Sequence, residues 1–234
     1  IVEENGKTKI SEEGQLLLFK RARLLAGARN KRWTLKKYLE KYQRDDSILV
    51  YCGATSMEDE ETGELVRQID GVTDMINQKM DMRAHKFTSE ENLKERQQIK
   101  EYFQSGIYQV ITAIKCLDEG VNIPGIKTAF IMSSSRNPKE FIQRRGRLLR
   151  KSSNKEIAEI YDFITLPRDL KMVDYEDFEK DKSIVVGELF RINEFGTLAN
   201  NNIIAKSQMT DIMNAYNVYF DIENEMKKME DYYD

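Results

Sequence analysis

The run Phe141-Ile142-Gln143-Arg144-Arg145-Gly146-Arg147-Leu148-Leu149-Arg150 gathers the residue types best suited to act on phosphate. Asn137 suits an N-cap and Pro138 the first helical position, so a helix is expected from about Pro138 to Lys151. On that helix Gln143, Arg147 and Arg150 fall at i, i+4 and i+7 and share one stripe. Ile142 and Leu149 form a second stripe expected to face a core, and Gly146 leaves room between the two. Guanidinium groups at fixed spacing suit a polyphosphate, because each planar fork binds phosphate oxygens bidentately and stays charged at any working pH. Groups of this kind stabilise the charge that spreads over a transferring phosphoryl group, the arginine-finger role.

A basic helix taken alone also suits a solvated face or a general anion patch. Between Arg136 and Lys155 eight Lys/Arg stand against one Glu, a net of +7, so local charge does not decide between these readings. Order along the chain does. Upstream lie a short apolar run, Ser47-Ile48-Leu49-Val50-Tyr51-Cys52, and a second, Val110-Ile111-Thr112-Ala113, leading to Leu117-Asp118-Glu119-Gly120-Val121-Asn122-Ile123-Pro124. In that order the three segments resemble motifs IV, V and VI of the second RecA-like domain of superfamily 2 helicases and nucleic-acid translocases. The last is similar to the Q-R-x-G-R-x-x-R form of motif VI. The resemblance runs from Ser47 to Pro167, about half of the chain.

The resemblance implies roles residue by residue. Arg147 and Arg150 match the arginine fingers and would reach the γ-phosphate of ATP held by another domain. Gln143 would sense phosphate or link the nucleotide to motif V, Arg144 would support that network, and Arg145 is expected to be structural. Gly120 and Asn122 match motif V positions near the nucleotide, where the family more often carries aspartate than asparagine. A neutral amide still hydrogen-bonds a ribose hydroxyl but cannot serve as a carboxylate. Thr112 matches the threonine that bonds the nucleic-acid phosphate backbone, with Gly53 to Thr55 beside it. Strand-end packing and a plain turn are the structural alternatives for Thr112 and for Gly53 to Thr55. Arg96 reads as a salt-bridging helix residue.

A P-loop ATPase also needs backbone amides and a lysine around the β and γ phosphates, plus a carboxylate that holds magnesium. Gly6-Lys7-Thr8 echoes the end of a Walker A loop, but Ile1 stands where its leading glycine belongs. Glu58-Asp59-Glu60-Glu61 and Leu117-Asp118-Glu119 echo Walker B fragments without a buried strand directly before them. The resemblance therefore implies the C-terminal half of a longer enzyme, with ATP and Mg2+ bound mainly by an N-terminal RecA-like domain and no metal site in this chain. Nucleic acid is the expected partner, and Glu-Gly-Val-Asn-Ile-Pro followed by Gln-Arg-Arg-Gly-Arg is similar to DNA-directed repair and restriction-associated branches more than to DEAD-box RNA helicases. A non-enzymatic module that binds nucleic acid or a partner through the Arg144 to Arg150 face is the alternative. A doubly wound dinucleotide binder is disfavoured because no G-x-G-x-x-G turn follows any strand.

These residues need a scaffold, and the pattern supplies one. Strands are expected at Ser47–Cys52, Arg83–Phe87, Tyr108–Ile114, Lys127–Ser133 and Glu159–Ile164, separated by helical stretches. The acidic stretch Glu58 to Glu64 reads as the first turn of a crossover helix carrying Leu65, Val66, Ile69, Val72, Ile76 and Met80. Thr88 with Glu91 has capping-box spacing ahead of a helix ending near Gly106. Such alternation implies an α/β fold, a RecA-like, largely parallel sheet sandwiched by helices. Three regions are expected: a helical lead-in over 1–45, the RecA-like domain over 46–168, and a helical extension over 169–234 with helices at Ile184–Leu198 and Met209–Phe220.

With 37 Lys/Arg against 40 Asp/Glu, the chain is not coated with positive charge, and any nucleic-acid contact must be local. Cys52 and Cys116 read as buried thiols, and the single histidine, His85, as a strand residue unable to build a metal centre alone. No apolar run approaches the roughly 20 residues that span a bilayer, which predicts a soluble, cytoplasmic protein without membrane contact.

Overall fold

The computed structural model describes residues 2–4, 7–9, 11–59, 62–114, 123, 125–134, 138–152 and 155–219. The chain divides into two units, residues 1–134 with 150–163, and residues 135–149 with 164–234.

The first unit opens with an antiparallel pair, β1 (Val2–Glu4) and β2 (Lys7–Lys9), followed by α1 (Glu12–Ala26) and α2 (Asn30–Leu39). Five strands then build one sheet: β3 (Ile48–Tyr51), β6 (Ala84–Phe87), β7 (Val110–Ala113), β8 (Thr128–Ile131) and β9 (Glu159–Asp162). Their order is β6-β7-β3-β8-β9, with every neighbouring pair parallel. Ile48 at the centre pairs with Val110 on one side and Thr128 on the other, so the strands start level. Every residue of β3, β7 and β8 is buried, as expected for parallel strands covered on both faces. This is the parallel, helix-flanked sheet that the alternating pattern implied.

Between β3 and β6 the chain forms a two-stranded ribbon, β4 (Ser56–Glu58) with β5 (Leu65–Arg67), and then α3 (Gln68–Lys79). The described residues at the two ends of the acidic stretch thus lead into paired strands, and the crossover helix starts only at Gln68. The reason is local: Asp59 accepts the Thr62 N–H at 3.0 Å, and its own N–H reaches the Glu64 carbonyl at 2.8 Å. Such side-chain bonding offers the backbone an alternative to helix. The next helix, α4 (Leu93–Gln104), also starts later than expected. Its capping box is Asn92 with Glu95, while Thr88 and Glu91 bond each other one turn earlier.

One core lies where Leu35 and Leu39 of α2 and Ile69, Val72, Met75 and Ile76 of α3 cover Ile48, Val50, Val110 and Phe130 of the sheet. Alternation along β6 sends Ala84 into this core, while Phe87 packs beneath the Arg96 guanidinium of α4 at 5.8 Å. The outer edge of β6 is closed by Asn77, whose amide accepts the Ala84 N–H and donates to the Ala84 carbonyl. Cys52 is buried, and His85 is a strand residue whose ring lies 4.8 Å from that of Tyr108.

The second unit holds α5 (Pro138–Leu148), α6 (Phe178–Gly196) and α7 (Asn202–Ala215). Val185 and Leu189 of α6 meet Ile212, Tyr216 and Val218 in its core. Charge is handled in pairs here. Arg168 reaches Asp177 at 3.0 Å and Asp181 at 2.8 Å, and buried Glu188 accepts the Thr165 N–H at 3.2 Å and faces Arg191. Among the described residues, no helix is long and apolar enough to cross a membrane.

Candidate functional site

The arginine-bearing helix α5 buries Phe141, Arg144 and Leu148, at positions i, i+3 and i+7. Ile142 is only partly buried and Leu149 is 51% exposed, so the expected core stripe is displaced by one residue. The helix stops at Leu148, with the Leu149 N–H on the Arg145 carbonyl as its last turn. Phe141 carries the aromatic contact, its ring 6.5 Å from that of Phe195 of α6.

The polar side divides as follows. Gln143 is exposed and Arg147 partly buried, one turn apart, so these two share the stripe the spacing gave them. Arg150 lies beyond the helix, within the first unit, exposed, its carbonyl accepting Lys155 Nζ at 3.3 Å. The predicted three-residue helical stripe is therefore a two-residue one. Arg144 is only 2% exposed, which makes it a buried cation of the helix and not part of a surface array. Arg145 donates to the carbonyl and the carboxylate of Glu194, both side chains being mostly buried, and so ties α5 to α6. That is the structural part expected of it.

The loop after β3 is built by close approach. A Cβ placed on Gly53 would stand 2.9 Å from Ser133 Cβ and 3.0 Å from Ala26 Cβ, so no larger residue fits without displacement. The Gly53 N–H donates to Gln68 Oε1 at 2.7 Å. Thr55 Oγ1 donates to the Arg23 carbonyl at 3.1 Å, and the Thr55 carbonyl accepts the Gln68 N–H at 2.9 Å. Ala54 between them is exposed.

Thr112 is placed differently from what its motif position implied. It is fully buried in β7, and its hydroxyl is 2.7 Å from that of Thr73 on α3. Thr73 spends its one proton on the Ile69 carbonyl at 2.6 Å, which leaves Thr112 as donor between them. A strand buried on both faces points Thr112 into the layer under α3, so in this structure it is a core hydroxyl and no phosphate can reach it. Gly120 and Asn122 lie outside the described residues, as does Cys116; Ile123 beside them is buried.

Two buried polar residues at the strand ends were not anticipated. Gln68 is 1% exposed and joins the β3 loop to α1, and Lys31 of α2 places Nζ 2.7 Å from the Met132 carbonyl just after β8. Neither stands in a recognisable motif, and a lone Gln after Arg67 gives no signal of burial. Among the described residues no group of three or more His, Cys, Asp or Glu side chains is placed to hold a metal ion.

Comparison with known proteins agrees with this architecture. Residues 30–152 match the family described as helicase conserved C-terminal domain. Over 63 residues the chain is 38% identical to the DNA 3'-5' translocase XPB2 of Sulfurisphaera tokodaii, a match covering 27% of this chain and 14% of that protein. Among solved structures, the RNA-helicase Prp28 from Chaetomium thermophilum bound to ADP is similar in fold, with a TM-score of 0.50 and 13% identity over 73% of this chain and 35% of that one. The C-terminal part of the Fun30 ATPase domain aligns with a TM-score of 0.48 and 16% identity, over 81% of this chain and 54% of the other. The chain thus spans a seventh of the curated relative and about half of the Fun30 chain.

Proposed function

Because the chain belongs to the helicase conserved C-terminal domain family, we propose that it is the C-terminal RecA-like half of an ATP-dependent superfamily 2 translocase or helicase, acting on DNA rather than RNA. The observation that carries the proposal is the division of α5. Phe141, Arg144 and Leu148 are buried, while Gln143 is exposed and Arg147 partly so, and a nucleotide would meet the helix on that side.

Arg147 would place a guanidinium against the γ-phosphate and offset the charge that grows as water attacks Pγ and the bond from Pγ to the ADP oxygen breaks. Arg150 would also act on the transferring phosphate and Gln143 would report whether phosphate is present, with Gly120 and Asn122 near the nucleotide. ATP and Mg2+ would be held mainly by another RecA-like domain, because the sequence shows neither a complete Walker A loop nor a clear Walker B box. Loss of the γ-phosphate removes what Arg147 holds, so nucleotide turnover would alternately favour joined and separated domains. Contacts at Gly53 to Thr55 would then grip and release the phosphate backbone, with little sequence preference and strong salt dependence. The likeness to a protein described as a DNA 3'-5' translocase, and the Glu-Gly-Val-Asn-Ile-Pro form of motif V, support DNA.

One measurement tests the half-site reading. This chain, purified by itself, should not hydrolyse ATP in the presence of single-stranded or duplex DNA. DNA-stimulated turnover by the chain alone would contradict it.

A further inference from the structure

Helix α1 is fastened to its unit at one end. Ala26 is its only buried residue, while Leu16, Leu17, Phe19 and Leu24 are all more than half exposed. That end meets the loop after β3 through several independent contacts. Gln68 Nε2 donates to the Ala26 carbonyl at 2.9 Å while Gln68 Oε1 accepts the Gly53 N–H at 2.7 Å. Thr55 Oγ1 caps the Arg23 carbonyl at 3.1 Å. Gly27 closes the junction, since a Cβ there would stand 2.9 Å from the Ser56 carbonyl oxygen.

An amide 1% exposed, with one end on each element, is what a rigid coupling requires. A buried carboxamide satisfies a donor and an acceptor at once, and either bond left unmade costs the desolvation of its partner. The same residue also gives its backbone N–H to Thr55, so the loop is held at Gly53 and Thr55 while exposed Ala54 stands between.

From this geometry we infer that Gln68 is a positioning residue that locks the Gly53–Ser56 loop to the last turn of α1, so that displacement of α1 changes the grip of that loop on nucleic acid. The inference rests on the reading of Gly53 to Thr55 as a nucleic-acid contact. α1 is the lever, Gln68 the joint and the loop the output. The sequence shows none of this, because Gln68 is distant from Ala26 along the chain and carries no charge.

Two substitutions separate the joint from general packing. Gln68→Glu keeps an oxygen for the Gly53 N–H but sets a second oxygen against the Ala26 carbonyl, breaking the link on the α1 side alone. Gly27→Ala acts from the other side, where the added methyl group must push the α1 end away from the Ser56 carbonyl. In the full-length protein, ATP hydrolysis is titrated with a single-stranded DNA oligonucleotide. Both variants should raise the KM for the oligonucleotide about tenfold, the scale of one net hydrogen bond, with kcat at saturation within about twofold of wild type. Gln68→Asn, which retains both polar groups on a shorter arm, should recover part of the loss.

A wild-type KM in both variants overturns the coupling, and so does a fall in kcat with no change in KM. If one variant fails to fold, the other decides by the same criteria. If the wild-type rate does not respond to the oligonucleotide at all, the functional reading itself fails and the inference falls with it. If the wild type responds and the variants titrate identically to it, the inference alone fails.

Discussion

Thr112 illustrates what a residue's motif position leaves open. Its place in Val110-Ile111-Thr112-Ala113 gave a phosphate contact and strand-end packing equal standing, and burial in β7 assigns it to packing. Which face a strand residue meets depends on register and on the helix laid over it, and neither is written in the strand itself. Thr112→Val should therefore act on stability and not on substrate. It removes one buried donor while Thr73 keeps its bond to the Ile69 carbonyl, so the expected cost is about 1 kcal/mol in urea denaturation. The KM for nucleic acid should stay at its wild-type value, and a rise of tenfold would return Thr112 to the contact surface. Arg145, by contrast, was legible as a structural residue, and its ion pair with Glu194 bears that out.

At the scale of elements, the sheet was largely legible because three of its strands, β3, β7 and β8, are short apolar runs between turn signals. The boundaries were not, because side chains decide them locally: Asp59 bonds the Thr62 N–H where a helix start was expected, and Asn92 takes the cap that Thr88 was expected to supply. The start of α3 is also pinned electrostatically. Arg67 binds both Asp70 oxygens and Lys86 reaches Asp70 at 2.8 Å, so these hydrogen bonds hold the Asp70 carboxyl below its ordinary value of 3.8 despite partial burial. A carboxyl whose value is depressed on folding adds stability above pH 3.8, and that contribution fades as pH falls through the lower folded value. Asp70→Asn should cost about 0.5–1 kcal/mol at pH 7, discounted for the exposure of its partners, and should cost nothing once the wild-type carboxyl is protonated. Urea midpoints of both proteins measured from pH 7 down to pH 2.5 check this. A constant gap across that range would show that Asp70 acts through shape and not charge.

For the molecule as a whole, composition excluded a uniformly basic nucleic-acid binder and any long apolar span, and left function to motif order. The order of three motifs pointed to the helicase C-terminal fold through its resemblance to that family, which the match over residues 30–152 supports. The burial of Gln68 and the attachment of α1 by one turn were not legible, since both depend on contacts between segments far apart in the chain. The account of the molecule rests on Arg147. Its position on α5, one turn from Gln143 and at the flank of the stripe formed by buried Phe141, Arg144 and Leu148, has a purpose in catalysis only if a nucleotide bound elsewhere comes to it. The most direct test is DNA-stimulated ATP hydrolysis by the full-length protein carrying Arg147→Ala. A loss of kcat on the order of a thousandfold, with the KM for DNA changed by only a few-fold, is the predicted result. A kcat equal to that of the wild type would contradict it.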